Sequence, residues 1–133
     1  MLMETHNFSI KTGKRTELID ITRAIEGFVL KSSNAAGLCL IYSPHTTTGI
    51  IINEAYDPDV AFDINYFLDN LAPKNLHYRH AEGNSDAHIK SSIIGNSRII
   101  PYSDNKLNLG RWEGIFFCEF DGPRQRNINL TFV

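Results

Sequence analysis

The chain has 133 residues, of which 42% are hydrophobic, and this length and composition predict one globular domain over residues 1–133. Thirteen basic and fifteen acidic residues give a formal net charge of −2, and the two signs are interspersed, which argues against nucleic-acid binding. The longest apolar runs are far shorter than the roughly 20 residues that cross a bilayer, and no signal peptide is visible. We therefore expect a cytoplasmic protein with no membrane contact.

The first part of the chain predicts two strands and a helix. Alternating polar and apolar residues indicate strands over 6–12 and 14–21, joined by a turn at Thr12–Gly13. A helix should begin after Asp20, its expected N-cap, because apolar residues recur from Ile21 at the spacing of one helical face.

The middle of the chain predicts two strands and the best-marked helix. Residues 37–43 are almost continuously apolar, and residues 45–53 are rich in β-branched side chains, so both segments favour strands. Asp57 can cap a second helix with Pro58 at its first position, and Pro73 should end that helix.

The last part of the chain predicts a short helix and a run of strands. The helix covers 85–94, with Ser85 or Asp86 as its cap and Gly95 just after its end. Strands are expected over 97–103, 111–121 and 125–133. Strands with interspersed helices predict a compact α+β domain with mixed, largely antiparallel β-sheets and about three helices.

The segment SPHTTTGIIINEAYDPD, residues 43–59, carries more polar groups than a buried strand needs. His45 precedes three threonines, and Asn53, Glu54 and Asp63 follow closely in the chain. This pattern is typical either of a strand end, where threonines pair across a sheet, or of one wall of a reactive pocket.

A second segment concentrates histidines. His77, His80 and His88 fall within twelve residues, with Glu82, Asn84 and Asp86 placed between them. Neutral imidazoles suit zinc or a similar divalent ion, although the spacing matches no zinc signature. A site that used His45 as well would require three separate elements to converge.

The third segment is EFDGPRQR, residues 119–126. Strand periodicity predicts that Glu119 and Asp121 share one side, and that Arg124 and Arg126 share a face about 7 Å apart. Paired guanidinium groups suit phosphate or carboxylate. The alternative is a network of Arg–Glu and Arg–Asp ion pairs that holds the hairpin or a subunit contact.

Three stretches of the chain resemble, in order, the motif blocks of the YjbQ family: HTTTGIIINEAYDPDVAFDI, YRHAEGNSDAHIKSSIIGNS and LGRWEGIFFCEFDGPRQR. The resemblance extends over essentially the whole chain and implies a compact α+β subunit that assembles as a homotrimer. For some members it implies thiamine-phosphate synthase activity, which joins a hydroxymethylpyrimidine diphosphate to a thiazole phosphate. Two departures are Glu113, where the family usually has glutamine, and the longer segment YSDNKLNLG before the third block.

The resemblance also implies the site residues. The catalytic residues are expected to be His45, His80, His88, Glu54 and Asp63. The residues that bind the substrate or its anionic groups are expected to be Thr46, Thr47, Asn53, Glu82, Asn84, Asp86, Trp112, Glu119, Asp121, Arg124 and Arg126. His45, His80 and His88 are the expected ligands of a divalent metal, zinc or magnesium.

Three functions fit these residues, each with a phosphorylated small molecule as partner. The first is the thiamine-phosphate synthase, in which Arg124, Arg126 or a metal stabilises the leaving diphosphate. The second is a metal-assisted hydrolase of a phosphorylated metabolite, which would explain the number of histidines. The third is a non-catalytic trimer that binds such a metabolite. If pocket residues come from neighbouring chains, dissociation of the trimer should remove activity or binding.

Overall fold

The computed structural model describes residues 3–133, and within them the chain forms eight strands and three helices. The strands are β1 Glu4–Lys11, β2 Glu17–Asp20, β3 Gly37–Tyr42, β4 Thr48–Glu54, β5 Ser97–Ser103, β6 Lys106–Leu107, β7 Glu113–Glu119 and β8 Gln125–Phe132. The helices are α1 Thr22–Leu30, α2 Pro58–Leu71 and α3 Ser85–Ile94. The α+β class with three helices is confirmed.

The strands form two antiparallel sheets. The order in the larger sheet is β1-β8-β3-β5-β6, and in the smaller sheet it is β2-β7-β4. β1 pairs with β8 and β2 pairs with β7, so the two strands predicted to flank the turn at Thr12–Gly13 lie in different sheets. That segment carries the chain from one sheet to the other and does not close a hairpin.

The smaller sheet is covered on both faces, with β7 at its centre. Ile115 and Phe117 of β7 face the larger sheet and α1 in the main core, while Phe116 and Cys118 join Leu68 of α2 in a second core. The resulting layers are the larger sheet, the smaller sheet, and then α2 and α3. Burial on both faces explains why β7 is an almost continuous apolar run.

Helix α3 lies close against the beginning of β4. A Cβ atom on Gly49 would lie 2.7 Å from Cγ2 of Ile94, so only glycine permits this approach. Gly95 ends the helix with a φ of +84°, and its carbonyl accepts a hydrogen bond from the Ile50 N–H at 3.0 Å. This packing places α3 beside the loop that carries His45.

Helix α2 is the element whose start the sequence predicts best. Asp57 accepts a hydrogen bond from the Asp59 N–H at 2.9 Å and Pro58 is the first helical residue, as predicted. In contrast, Asn84 occupies the N-cap position of α3 without a side-chain cap bond, where Ser85 or Asp86 was predicted. The short strand β6 was not predicted.

Other predicted element ends differ from the structure. Ile21 occupies the N-cap position of α1, although the Oδ1 atom of Asp20 still accepts a hydrogen bond from the Thr22 N–H at 2.9 Å. The strand predicted to start at His45 begins only at Thr48, because Thr48 Oγ1 donates to the His45 carbonyl at 3.2 Å and closes a turn there.

Within residues 3–133, no helix is long and apolar enough to cross a membrane. The longest, α2, has 14 residues, whereas a spanning helix needs about 20. The cytoplasmic location stays a prediction.

Candidate functional site

Three separate segments of the chain meet at an open cleft of about 380 Å³. They are the loop between β3 and β4, the segment that leads into α3, and the β7–β8 turn with the start of β8. The residues that line the cleft are Pro44, His45, Thr46, Thr47, Glu82, Asn84, His88, Asp121, Arg124 and Arg126. All of them except Pro44 were predicted to belong to the site.

A buried ion pair between Arg126 and Glu119 supports this cleft. The side chains are 3% and 0% exposed, and the guanidinium uses both Nε and Nη2 to donate to the carboxylate. Nη2 also donates to Thr47 Oγ1 at 2.8 Å, and Glu119 accepts from Thr12 Oγ1 at 2.8 Å. The third guanidinium nitrogen, Nη1, makes no hydrogen bond with any residue between 3 and 133. Because β7 and β8 lie in different sheets, they do not form the predicted hairpin. The Arg–Glu ion pair instead joins the end of β7 to the start of β8 and still leaves one donor beside the cleft.

The exposed Arg124 and the half-buried Asp121 and Asn84 form another side of the cleft. Arg124 donates to the Asp121 carbonyl at 2.8 Å and to its carboxylate at 3.1 Å. Asn84 Nδ2 donates to the same carboxylate at 2.8 Å, which identifies Oδ1 as the acceptor of this amide. Asn84 Oδ1 is buried without a hydrogen-bond partner, and such a group costs about 1–3 kcal/mol. A ligand that donates a hydrogen bond would remove this cost.

His45 is held as a neutral donor. Its Nε2 accepts a hydrogen bond from the Asn127 backbone N–H at 2.9 Å, so in the neutral ring the proton lies on Nδ1. Burial and the positive charge of Arg126 lower the pKa of His45, and together they outweigh the opposing charge of Glu119. Binding of a metal through Nε2 would require this hydrogen bond to break.

His88 lines the cleft, and His80 lies beside His88. The rings of His80 and His88 meet edge to face with centroids 5.4 Å apart, and His80 Nε2 is 3.6 Å from a carboxylate oxygen of Glu82. His80 and Glu82 are 44% and 75% exposed. Among residues 3–133 of one chain, no three His, Cys, Asp or Glu side chains are grouped as metal ligands. The zinc or magnesium ion stays a prediction.

Three predicted residues lie at the far end of the smaller sheet. β4 begins at Thr48 beside the cleft, and Glu54 ends it six residues later, about 20 Å away at the usual rise of a strand. Asn53 and Trp112 share that far end, where the Trp112 ring lies 5.1 Å from the ring of Tyr56. The structure does not bring these residues to the cleft.

Two predicted carboxylates also lie outside the cleft. Asp63 is exposed on α2, and Asp86 is 1% exposed in the first turn of α3. Arg15 binds both oxygens of Asp86, at 2.9 and 3.1 Å, and Lys90 lies 3.8 Å away. Arg15 and Asp86 are 71 positions apart in the sequence, so no local sequence pattern predicts this ion pair. Asp86 neutralises Arg15 and the buried Lys90 and does not line the cleft.

Acidification is expected to destabilise the fold through His45. Because the folded pKa of His45 is lowered, its stabilising contribution is complete above the unfolded pKa of about 6.5 and is lost as the pH falls through the folded pKa. Urea denaturation of the wild type should show a larger loss of unfolding free energy between about pH 7.5 and about pH 5 than His45→Gln, which keeps an acceptor but does not titrate. Equal losses in the two proteins would contradict this assignment.

Comparison with known proteins identifies relatives over nearly the whole chain. The sequence profile of the family described as UPF0047 protein YjbQ-like matches residues 6–133. UPF0047 protein MJ1081 of Methanocaldococcus jannaschii is 52% identical, with 95% of this chain and 91% of the relative covered. A crystal structure of an uncharacterized conserved YjbQ/UPF0047-family protein from Clostridium acetobutylicum has a TM-score of 0.93 and 45% identity, covering 96% and 99% of the two chains. A protein of unknown function from Sulfolobus solfataricus has a TM-score of 0.94 and 30% identity, covering 98% and 96%.

These relatives correct the functional expectation. The curated proteins are described only as UPF0047 proteins, and the solved structures are of uncharacterized or unknown function. None of them supplies a thiamine-phosphate synthase activity, so the expectation of that activity is wrong. The family profile nevertheless matches residues 6–133, and the likeness in fold covers 96% of the chain. The chain belongs to the UPF0047 YjbQ-like family.

Proposed function

We propose that the cleft binds a small molecule that combines an oxyanion, a phosphate ester or carboxylate, with a hydroxyl or amino group. The observation that carries this proposal is the buried, unpartnered Asn84 Oδ1 in a cleft that is also lined by two arginines. A buried acceptor without a protein donor is rare in folded proteins, and its partner is then a bound water or ligand.

The oxyanion is recognised by the donors of the cleft. Arg124 is half exposed, Arg126 keeps Nη1 without a hydrogen bond in residues 3–133, and neutral His45 carries its proton on Nδ1. Guanidinium groups bind oxyanions through paired hydrogen bonds, and such bonds are stronger at a partly desolvated site.

The charge balance explains why the ligand needs a donor as well. Arg126 is paired with Glu119 and Arg124 with Asp121, and Glu82 adds a further carboxylate to the lining. A simple anion therefore gains little net attraction, whereas a hydroxyl or amino group can donate to Asn84 Oδ1 and add a second contact. We expect a hydroxylated anion to bind more tightly than the anion alone.

Calorimetric titration at low salt tests this function with glycerol 3-phosphate, inorganic phosphate and glycerol. Glycerol 3-phosphate should bind saturably and more tightly than phosphate, and glycerol should not bind. Arg124→Ala should weaken binding by about tenfold or more, the loss of one charge-assisted contact. Asn84→Ala should weaken the binding of glycerol 3-phosphate more than it weakens the binding of phosphate.

Arg23→Ala is the matched control, because Arg23 is exposed on α1 and its loss removes the same charge. Its affinity should stay within about twofold of wild type, since surface substitutions away from a site have small effects. Absence of saturable binding, or equal loss in Arg23→Ala and Arg124→Ala, would refute the proposal.

We propose that the chain assembles as a homotrimer through the outer face of the larger sheet. Leu38 and Tyr42 of β3 and Ile99 of β5 are 47%, 40% and 61% exposed, and these two strands are neighbours. Contiguous exposed apolar surface of this kind marks protein–protein contacts. Because β3 leads directly into the loop of His45, a partner on this face would lie beside the cleft.

Sedimentation measures the assembly directly. The wild type should sediment at three times the chain mass of 15.0 kDa, and Ile99→Lys should shift it towards the monomer and weaken glycerol 3-phosphate binding. A monomeric wild type would exclude the trimer without bearing on ligand binding by the single chain.

A further inference from the structure

A second cavity, of about 580 Å³, lies between β2, β7 and the N-terminal half of α2, and it shares no lining residue with the cleft. We propose that this cavity binds a small organic cation, a flat apolar body that carries a protonated amine. Its volume is within the range of about 300–1,000 Å³ that is usual for small-molecule sites.

Three carboxylates give this cavity its preference for a cation. Glu17, Asp20 and Asp57 line it, together with a single cation, Lys14, so the lining carries a formal charge of −2. Each carboxylate uses one oxygen to accept backbone N–H bonds of 2.6 to 2.9 Å, which fixes its orientation. The second oxygens, Oε1 of Glu17 and Oδ2 of Asp20 and Asp57, make no hydrogen bond with residues 3–133. The lining therefore offers three carboxylate oxygens that the protein does not use, and an ammonium group is a suitable donor to such oxygens.

A fourth acceptor is buried in the wall of the cavity. Asn65 on α2 lines the cavity, and its side-chain oxygen is buried without a hydrogen-bond partner. This observation is independent of the carboxylates, because it concerns a neutral group on a different element. A buried amide oxygen in this state is stabilised by any ligand that brings an N–H donor to it.

The remaining wall is apolar and aromatic. Phe116 of β7 and Leu18 of β2 form its inner part, and Phe62 of α2, 68% exposed, stands at the mouth. The faces of aromatic rings attract cations and also pack against flat apolar groups. The combination of carboxylates, a buried acceptor and aromatic rings fits an aromatic amine in its protonated form.

Titration of the full chain with 2-phenylethylammonium tests the site, with phenylacetate as the matched anion of nearly the same shape. The ammonium probe should bind saturably and about tenfold or more tightly than phenylacetate. Phe62→Ala and Glu17→Gln should each weaken it about fivefold or more, in the range of one cation–π contact or one ion pair. Asn65→Ala should weaken it as well.

Phe67→Ala is the control, because Phe67 is 63% exposed on the same helix but does not line the cavity. It should bind the probe within about twofold of wild type. Addition of glycerol 3-phosphate should leave probe binding unchanged, since the two sites share no residue. No saturable binding, equal binding of phenylacetate, or an equal loss in Phe67→Ala would overturn the proposal.

Discussion

Replacement of Arg126 by methionine is expected to lower the free energy of unfolding by about 3–5 kcal/mol, the usual effect of removing one partner of a buried ion pair. Glu119 has no exposed surface, and its carboxylate would lose two charge-assisted hydrogen bonds. Thr47 would also lose its guanidinium donor. The methionine side chain is apolar and fills the space of Arg126 out to the position of Nε, so the effect reports mainly the lost charge and hydrogen bonds.

Urea denaturation at neutral pH measures this effect. Arg23→Met, on the exposed face of α1, should change the unfolding free energy by less than about 0.5 kcal/mol. Adding Glu119→Gln to Arg126→Met should recover part of the loss, because the unpaired buried charge is then removed. A loss below about 1 kcal/mol in Arg126→Met would show that the pair is not desolvated as the structure has it.

Replacement of Asp86 by alanine is expected to cost about 3 kcal/mol. Asp86 and Lys90 are 1% and 2% exposed, and the substitution leaves Lys90 with only the Asp69 carboxylate, 2.6 Å away. Arg15 loses both of its hydrogen bonds to Asp86. Since the Arg15 side chain is 29% exposed, water compensates for part of that loss, and we place the effect at the lower end of the range.

The matched control is Asp63→Ala, which removes an exposed carboxylate from α2 and should change stability by less than about 0.5 kcal/mol. Burial raises the pKa of Asp86, but the hydrogen bonds and charges of Arg15 and Lys90 outweigh burial and leave the pKa lowered. Its stabilising contribution is therefore complete above the unfolded pKa of about 3.9 and is lost as the pH falls through the folded pKa. A stable Asp86→Ala protein, or an equal loss in Asp63→Ala, would contradict this role.

Local chemistry explains which elements could be predicted. Asp57 and Pro58 start α2 through a side-chain cap and a fixed φ, both of which act within three residues. The end of β3 and the start of β4 illustrate the limit of such signals. Threonine has a high strand propensity, but Thr46 and Thr47 lie in a loop because a turn bond between Thr48 and His45 closes there.

The sequence predicts most of the residues that line the cleft, but it also assigns to the site residues that lie far from the cleft. The three motif blocks supply the loops of the cleft, including His45, Asn84 and Arg124. The same first block, however, contains Glu54, which strand β4 carries to the opposite end of the smaller sheet. Nearness in sequence did not mean nearness in space, because an extended strand separates its ends by about 3.4 Å per residue.

By itself, the sequence determined the α+β class, the position of α2 and the family to which the chain belongs. These depend on patterns within a few residues or on the order of motifs along the chain. Only the tertiary structure decided which polar groups meet. Arg126 reaches Thr47 across 79 positions, and Asn127 reaches His45 across 82. The sheets set those contacts through their pairing and register, which are long-range properties that no local pattern contains.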